Sequence, residues 1–111
     1  MAAPTFYIKQ NDNRPNLDVS LRDDRDRSVD ITGATVVFHM RNAADNTVVV
    51  SSGSVSIISA SRGDVRYDWV VANTATSGNF QAEFQVTFAE GAVQTFPNDG
   101  YVKIVITDDV V

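Results

Sequence analysis

His39 is the only histidine of the chain and the first side chain to consider for chemistry. It lies between Phe38 and Met40 in a run of alternating residues. A serine triad or a zinc site would need this imidazole, but the chain has no cysteine to complete a typical closed zinc site. Because Phe38 and Met40 have the parity of core positions, we expect His39 to face outward. We interpret it as a surface histidine and predict no catalytic, cofactor-binding or metal-binding residue.

Two oxygen-rich stretches are candidates for binding a cation: DDRDRSVD at residues 23–30 and NDNRPNLD at residues 11–18. Calcium needs several oxygens that converge in one loop, and residues 23–30 lack the glycine-bearing pattern of a calcium loop. Their acidic members alternate with arginines, which favours neutralisation within a hairpin loop, with calcium as the alternative. The second stretch is explained by a polar loop after the first strand. The acidic members of the first stretch are Asp23, Asp24, Asp26 and Asp30.

Paired carboxylates could act as acid and base only if burial raised the pKa of one of them. Glu83 belongs to the polar face of an alternating run, and Glu90 lies in a turn, so neither is expected to be buried. The residues therefore predict a non-enzymatic protein. A hydrolase would be indicated only by turnover that is lost when His39 is replaced.

The aromatic side chains could form a sugar-binding platform if they were exposed. Their parity matches the apolar positions of their own runs, which favours packing in a core. This group comprises Tyr67, Trp69, Phe84 and Phe88. Tyr7 and Tyr101 are less constrained, so they are the first aromatic residues to test for exposure.

Alternation with a period of two dominates the chain and indicates strands throughout. The clearest run is 80–88, where phenylalanine, alanine and valine alternate with glutamine, glutamate and threonine. Turn residues separate the runs at strand-like spacings. We predict an all-β, antiparallel, immunoglobulin-like β-sandwich in a single domain covering residues 1–111, with its core at about 6–107. The predicted strands are Phe6–Gln10, Leu17–Asp23, Thr35–Arg41, Thr47–Ser51, Val55–Ser59, Asp64–Val71, Asn79–Ala89, Val93–Phe96 and Tyr101–Thr107.

The stretch TFPNDGYVKIVI at residues 95–106 places turn residues between two strand-like runs. Pro97 lacks a backbone donor, and the Asn98–Gly100 segment suits a bulge or a short excursion. We interpret the two runs as one strand that is interrupted.

Composition and charge exclude several partners. A formal net charge of -5 does not provide the basic footprint that nucleic acid requires. The N-terminus lacks the pattern of a secretion signal, and no segment approaches the ~20 apolar residues of a membrane span. We expect a soluble protein, made in the cytoplasm, with no membrane or nucleic-acid partner.

Consecutive apolar residues occur where a two-faced sheet should alternate. On such a sheet one member of each pair must point away from its own core. Scattered exposed residues would be ordinary, but clustering would create an association surface and a possible homo-oligomer. The runs are Val48–Val50, Ile57–Ile58, Val70–Val71 and Ile104–Ile106.

Three stretches carry a family resemblance. They are IKQNDNRPNLDVSLRD at residues 8–23, DITGATVVFHMRN at residues 30–42, and GDVRYDW at residues 63–69 followed by SGNFQAEFQVTFAEGAVQTFPNDGYVKIVI at residues 77–106. Together they resemble the N-terminal immunoglobulin-like domain of the phage baseplate upper protein family, from about Phe6 to Thr107. The resemblance places Gly33, Gly63 and Gly78 in or beside turns. Phe80 departs from the tyrosine that often ties a corner in such domains, so only its ring packing can be retained.

The resemblance implies a structural protein of a tailed-phage virion, made in the host cytoplasm. It implies an interaction module that joins baseplate, tail or neck components, with other phage virion proteins as partners. A capsid-decorating protein and a glycan-binding β-sandwich module are the alternatives. Exposed flat aromatic side chains beside aspartate and asparagine would favour the glycan-binding alternative.

Overall fold

The computed structural model describes residues 5–110, which form nine strands and one short 3-10 helix. Alternating side chains bury one face of strands such as the 78–87 run, where every second residue from Phe80 is buried. The strands are β1 (Thr5–Lys9), β2 (Leu17–Ser20), β3 (Thr35–Asn42), β4 (Val48–Ser54), β5 (Ser56–Ser59), β6 (Asp64–Tyr67), β7 (Gly78–Thr87), β8 (Val93–Phe96) and β9 (Val102–Thr107).

Two sheets form the sandwich. The large sheet has the order β1-β9-β7-β3-β4, with β8 also paired to β7, and the small sheet has the order β2-β6-β5. The predicted all-β sandwich is confirmed, with one difference in strand direction. Strand β1 pairs with β9 in parallel, from Thr5 opposite Lys103 to Lys9 opposite Thr107, whereas the other pairs of named strands are antiparallel.

Strands β8 and β9 confirm the predicted interrupted strand. Both pair with β7, β8 alongside Phe84–Thr87 and β9 alongside Gly78–Ala82. Residues 97–101 therefore stand opposite the single residue Glu83 and leave the ladder as a short excursion. This excursion lies at the edge of the large sheet and carries Tyr101.

The predicted strand Asp64–Val71 is too long, because pairing ends at Tyr67. Asn73 explains the early end. Its Oδ1 accepts hydrogen bonds from the backbone N–H of Val70 at 3.0 Å and from the Tyr67 hydroxyl at 2.7 Å. The Asn73 side chain thus takes the place of a neighbouring strand as hydrogen-bond partner of the Val70 N–H. The chain then turns into the 3-10 helix Val71–Thr74.

The predicted strand Leu17–Asp23 is also too long, since β2 ends at Ser20. Beyond it, the Leu21 N–H donates to the carbonyl of Gly63 at 2.8 Å. Gly63 has φ 68°, and an added Cβ would lie 2.5 Å from the Val29 carbonyl oxygen. This crossing of three backbone segments therefore accepts only glycine.

The core lies between the sheets and forms one cluster with members from Ile8 to Ile106. Phe38 on β3 is fully buried, stacks on Tyr67 of the small sheet at 4.2 Å, and meets Trp69 edge-on at 5.8 Å. Phe80 is also buried, so its ring packs in the core. Within residues 5–110 no helix has the length and apolarity to cross a membrane.

Candidate interaction surfaces

The outer face of the large sheet has a shallow depression of about 210 Å³. Strand register builds it: His39 and Arg41 of β3 stand opposite Glu83 and Gln81 of β7, and Tyr101 comes from the excursion before β9. Polar side chains lie there because the opposite parity of the same strands fills the core. The depression is open to solvent and contains groups of both charges.

Arg41 holds Tyr101 against the sheet. Its Nε donates to Gln81 Oε1 at 2.9 Å, and its Nη2 donates to the Tyr101 hydroxyl at 3.0 Å. The guanidinium carbon also lies 5.0 Å from the centre of the Tyr101 ring. This arrangement uses one face of the ring for a cation–π contact and fixes the excursion onto the sheet.

His39 lies on this outer face and is half-buried. Its Nδ1 accepts a hydrogen bond from the Ser52 backbone N–H at 3.1 Å, and its Nε2 lies 3.1 Å from Gln85 Oε1. A neutral imidazole with its proton on Nε2 satisfies both contacts. His39 therefore connects β4, β3 and β7, and its ring nitrogens are already used by the fold.

In the acidic stretch 23–30, Asp23 turns its carboxylate onto the backbone of its own loop. Asp23 accepts from the backbone N–H groups of Arg25 and Arg27, both at 2.9 Å, and pairs with Arg27 Nε at 3.1 Å. The hydrogen bond from the Arg27 backbone is the main cause that lowers the pKa of Asp23. Within residues 5–110, no group of three or more metal-ligating side chains converges.

The second oxygen-rich stretch, residues 11–18, closes against the 3-10 helix. The backbone N–H of Asn11 donates to the Thr74 carbonyl at 2.9 Å, and the Thr74 hydroxyl donates to the Asp12 carbonyl at 2.7 Å. Asp18 faces the other way and pairs with Arg66 across β2 and β6 at 2.7 Å. Loop closure thus uses backbone atoms of Asn11 and Asp12, whereas the carboxylate of Asp18 supports strand pairing.

The aromatic residues whose parity predicted core packing are buried or partly buried, and the two less constrained tyrosines are exposed. Tyr67, Trp69 and Phe84 are buried, and Phe88 is partly buried against the core. Tyr7 is 64% exposed and Tyr101 is 38% exposed. The contact between Arg41 and Tyr101 could not be read from the sequence, because it joins residues whose neighbourhood depends on the pairing of β3, β7 and β9.

Large apolar side chains are exposed on four edge strands. Tyr7 lies on β1, Val48 on β4, Ile57 and Ile58 on β5, and Val93 on β8. Val70 and Val71 are exposed at the start of the 3-10 helix. In contrast, three members of the apolar runs are in the core: Val50, Ile104 and Ile106. The exposed members of the runs thus lie on edge strands and at the start of the 3-10 helix.

The family model for the N-terminal domain of BppU, the baseplate upper protein, matches residues 3–97. The chain belongs to this family. The BppU N-terminal domain is a structural domain of phage baseplates, so the chain is a phage baseplate structural protein and a virion component. The family is not a known enzyme family. Because its members are baseplate proteins, membership implies association with other phage virion proteins. The predicted resemblance is confirmed.

Comparison of structures supports the fold of this BppU N-terminal domain. The crystal structure of CopC from Methylosinus trichosporium OB3b superposes with a TM-score of 0.57 over 98% of this chain and 89% of that one. The two sequences are 8% identical, so the likeness concerns the fold alone. No curated protein sequence matches the chain.

Proposed function

We propose that this BppU N-terminal domain is a non-enzymatic interaction module that joins baseplate, tail or neck components of a tailed-phage particle. The observation that carries the proposal is the exposure of large apolar side chains on the edge strands β1, β4, β5 and β8. Edge strands bind extended segments through backbone hydrogen bonds, and apolar side chains beside them add buried area. We further propose that residues 1–111 form one domain, synthesised in the host cytoplasm.

Incorporation into particles tests this role. Tyr7→Asp and Val93→Asp place a charge on exposed apolar positions of β1 and β8, and we expect one or both to reduce incorporation at least ~tenfold. Thr5→Asp is the matched control for β1, because Thr5 is exposed two residues from Tyr7 on the same strand face. Particles purified from cells that express each variant are quantified by mass spectrometry.

The proposal is contradicted if particles assemble fully without the protein, or if both apolar-to-charged variants are incorporated like Thr5→Asp. A map of the particle by electron microscopy identifies the neighbouring subunits directly. Circular dichroism of each purified variant shows whether a loss of incorporation comes from unfolding.

The exposed ring of Tyr101 favours a second candidate, glycan binding. Tyr101 lies beside Arg41, Gln81 and Glu83 in the depression, and such polar groups next to an aromatic ring suit a sugar. Against it, the guanidinium of Arg41 already contacts the Tyr101 ring. Binding of host-wall glycans that is lost in Tyr101→Ala and kept in Tyr7→Ala would support this candidate. No binding at millimolar glycan would reject it.

A further inference from the structure

One lateral side of the sandwich is a continuous uncharged edge. Strand β4 ends the large sheet, β5 ends the small sheet, and Val55 alone separates them. The run 48–59, VVVSSGSVSIIS, contains no charged residue and no proline. Within residues 5–110, β4 pairs only with β3 and β5 only with β6. We name residues 48–59 the β4–β5 edge.

Native proteins usually protect exposed sheet edges with charges, prolines or bulges. The other edges carry a charge or are followed by a proline. Asp18 lies on β2, Lys9 ends β1, and Pro97 directly follows β8. The β4–β5 edge has neither, and its protection is limited to register shifts, two between β3 and β4 and one between β5 and β6.

Exposed apolar side chains lie along the β4–β5 edge. Val48 is 64% exposed and Ile58 is 54% exposed, and no residue of β5 is buried. In an extended chain the run could span at most about 40 Å, which is long enough to support a specific interface. An edge of this kind is suited to pairing with another strand.

We propose that the β4–β5 edge pairs with the same edge of a second copy of this chain. The net charge of -5 opposes contact between copies in most orientations. Pairing through β2, for example, would bring the Asp18 side chains of the two copies near each other. The β4–β5 edge brings no like charges together. Antiparallel pairing about a two-fold axis would place valine and isoleucine of one copy against those of the other and continue the sheets across the dimer.

Analytical ultracentrifugation of the purified protein over a concentration series tests the pairing. We expect a concentration-dependent dimer, and we expect Val48→Lys and Ile58→Lys each to raise its dissociation constant at least ~tenfold. Val93→Lys is the matched control, since Val93 is 57% exposed on β8, a different edge. This control should dimerise like the parent chain.

A wild-type chain that remains monomeric at the highest concentration overturns the proposal, and so does an equal weakening by Val93→Lys. A monomer that joins particles through the β4–β5 edge also overturns it, because a different virion protein would then cover that edge. Cross-linking provides a readout that does not need a destabilising change. The chain has no cysteine, and Ser54, which is exposed at the centre of the 48–59 run, would lie beside the two-fold axis. Ser54→Cys should therefore give a disulfide-linked dimer on mild oxidation, whereas Thr95→Cys on β8 should not.

The two proposals can fail separately, because Tyr7 on β1 and Val93 on β8 test the joining role at edges other than β4–β5. A dimer that is absent from particles would contradict the joining role alone. A monomer that is incorporated would contradict self-pairing alone.

Discussion

Phe38 is the residue at which the two sheets make their closest aromatic contact. Its ring contacts Tyr67 and Trp69 from the small-sheet side and lies 5.1 Å from Phe84 of the neighbouring strand. Each of these rings buries a large apolar area, and their offset and edge-on arrangement adds to the stability of the core. The parity of the β3 run already assigned Phe38 to the interior.

We expect Phe38→Ala to lower the free energy of unfolding by about 3–5 kcal/mol, because the cavity it leaves is surrounded by packed rings. Urea unfolding followed by tryptophan fluorescence measures the change. Val93→Ala on the exposed surface is the control and should change stability by less than about 0.5 kcal/mol. Equal effects of the two substitutions would contradict the assigned core.

We expect Gly63→Ala to destabilise the fold more than Gly100→Ala does. Both glycines have a positive φ, 68° and 72°, so both alanines pay a similar conformational cost of about 1–2 kcal/mol. Only at Gly63 would the new Cβ also meet backbone oxygens, those of Val29 and Leu21. Thermal unfolding of the two variants measures the difference. Identical melting temperatures would contradict the close approach of the Val29 and Leu21 backbone to Gly63.

At the scale of elements, β7 is the central strand of the large sheet. It pairs with β3 along one side and with β8 and β9 along the other. Strand β1 joins the sheet through β9 alone, and its Ile8 reaches the core. Strand β5 has no buried residue. The large sheet is therefore strongest at its centre and weakest at β1, and β5 is the weakest strand of the small sheet.

Hydrogen exchange should follow this order, because local opening of an edge strand exposes less apolar surface than opening of a central strand. We expect the amides of β7 to exchange most slowly and those of β1 and β5 most quickly. Mass spectrometry of exchanged peptides at low protein concentration, where self-pairing is minimal, makes the measurement. Protection of β1 equal to that of β7 would contradict this order of stability.

At the scale of the whole molecule, loop carboxylates link stability to pH. The pKa of Asp23, Asp30 and Asp45 is lowered from the ordinary 3.8, mainly by the Arg27 backbone N–H, the Thr32 hydroxyl and the Thr47 backbone N–H, respectively. A carboxylate with a lowered folded pKa contributes stability that is fully present above its unfolded pKa and is lost as the pH falls through its folded value.

We therefore expect the free energy of unfolding to decrease below about pH 4, where the unfolded chain binds more protons than the folded chain. Replacing Asp23, Asp30 and Asp45 together by asparagine should flatten this acid limb, because asparagine does not titrate. Urea unfolding at a series of acidic pH values measures the slope. An unchanged slope in the triple variant would show that other groups cause the pH dependence.

Much of this protein is determined by its sequence. Period-two alternation gave strands such as β3, β7 and β9 a core face and an outer face, since successive side chains of an extended backbone point to opposite sides. The parity placed Phe38 inside and His39 outside, and Pro97 marked the interruption between β8 and β9. The ordered set of patterned strands was also sufficient for the family to be recognised.

Only the tertiary structure decided which strands become neighbours. The parallel pairing of β1 with β9 joins the two ends of the described chain, and local patterns contain no information about such distant partners. The contact between Arg41 and Tyr101 likewise depends on which strands are neighbours. So does the continuous β4–β5 edge, which exists because one chain segment supplies the edge strand of both sheets. Alternation determines which way a side chain points, whereas the order of strands in the sheets determines what it meets.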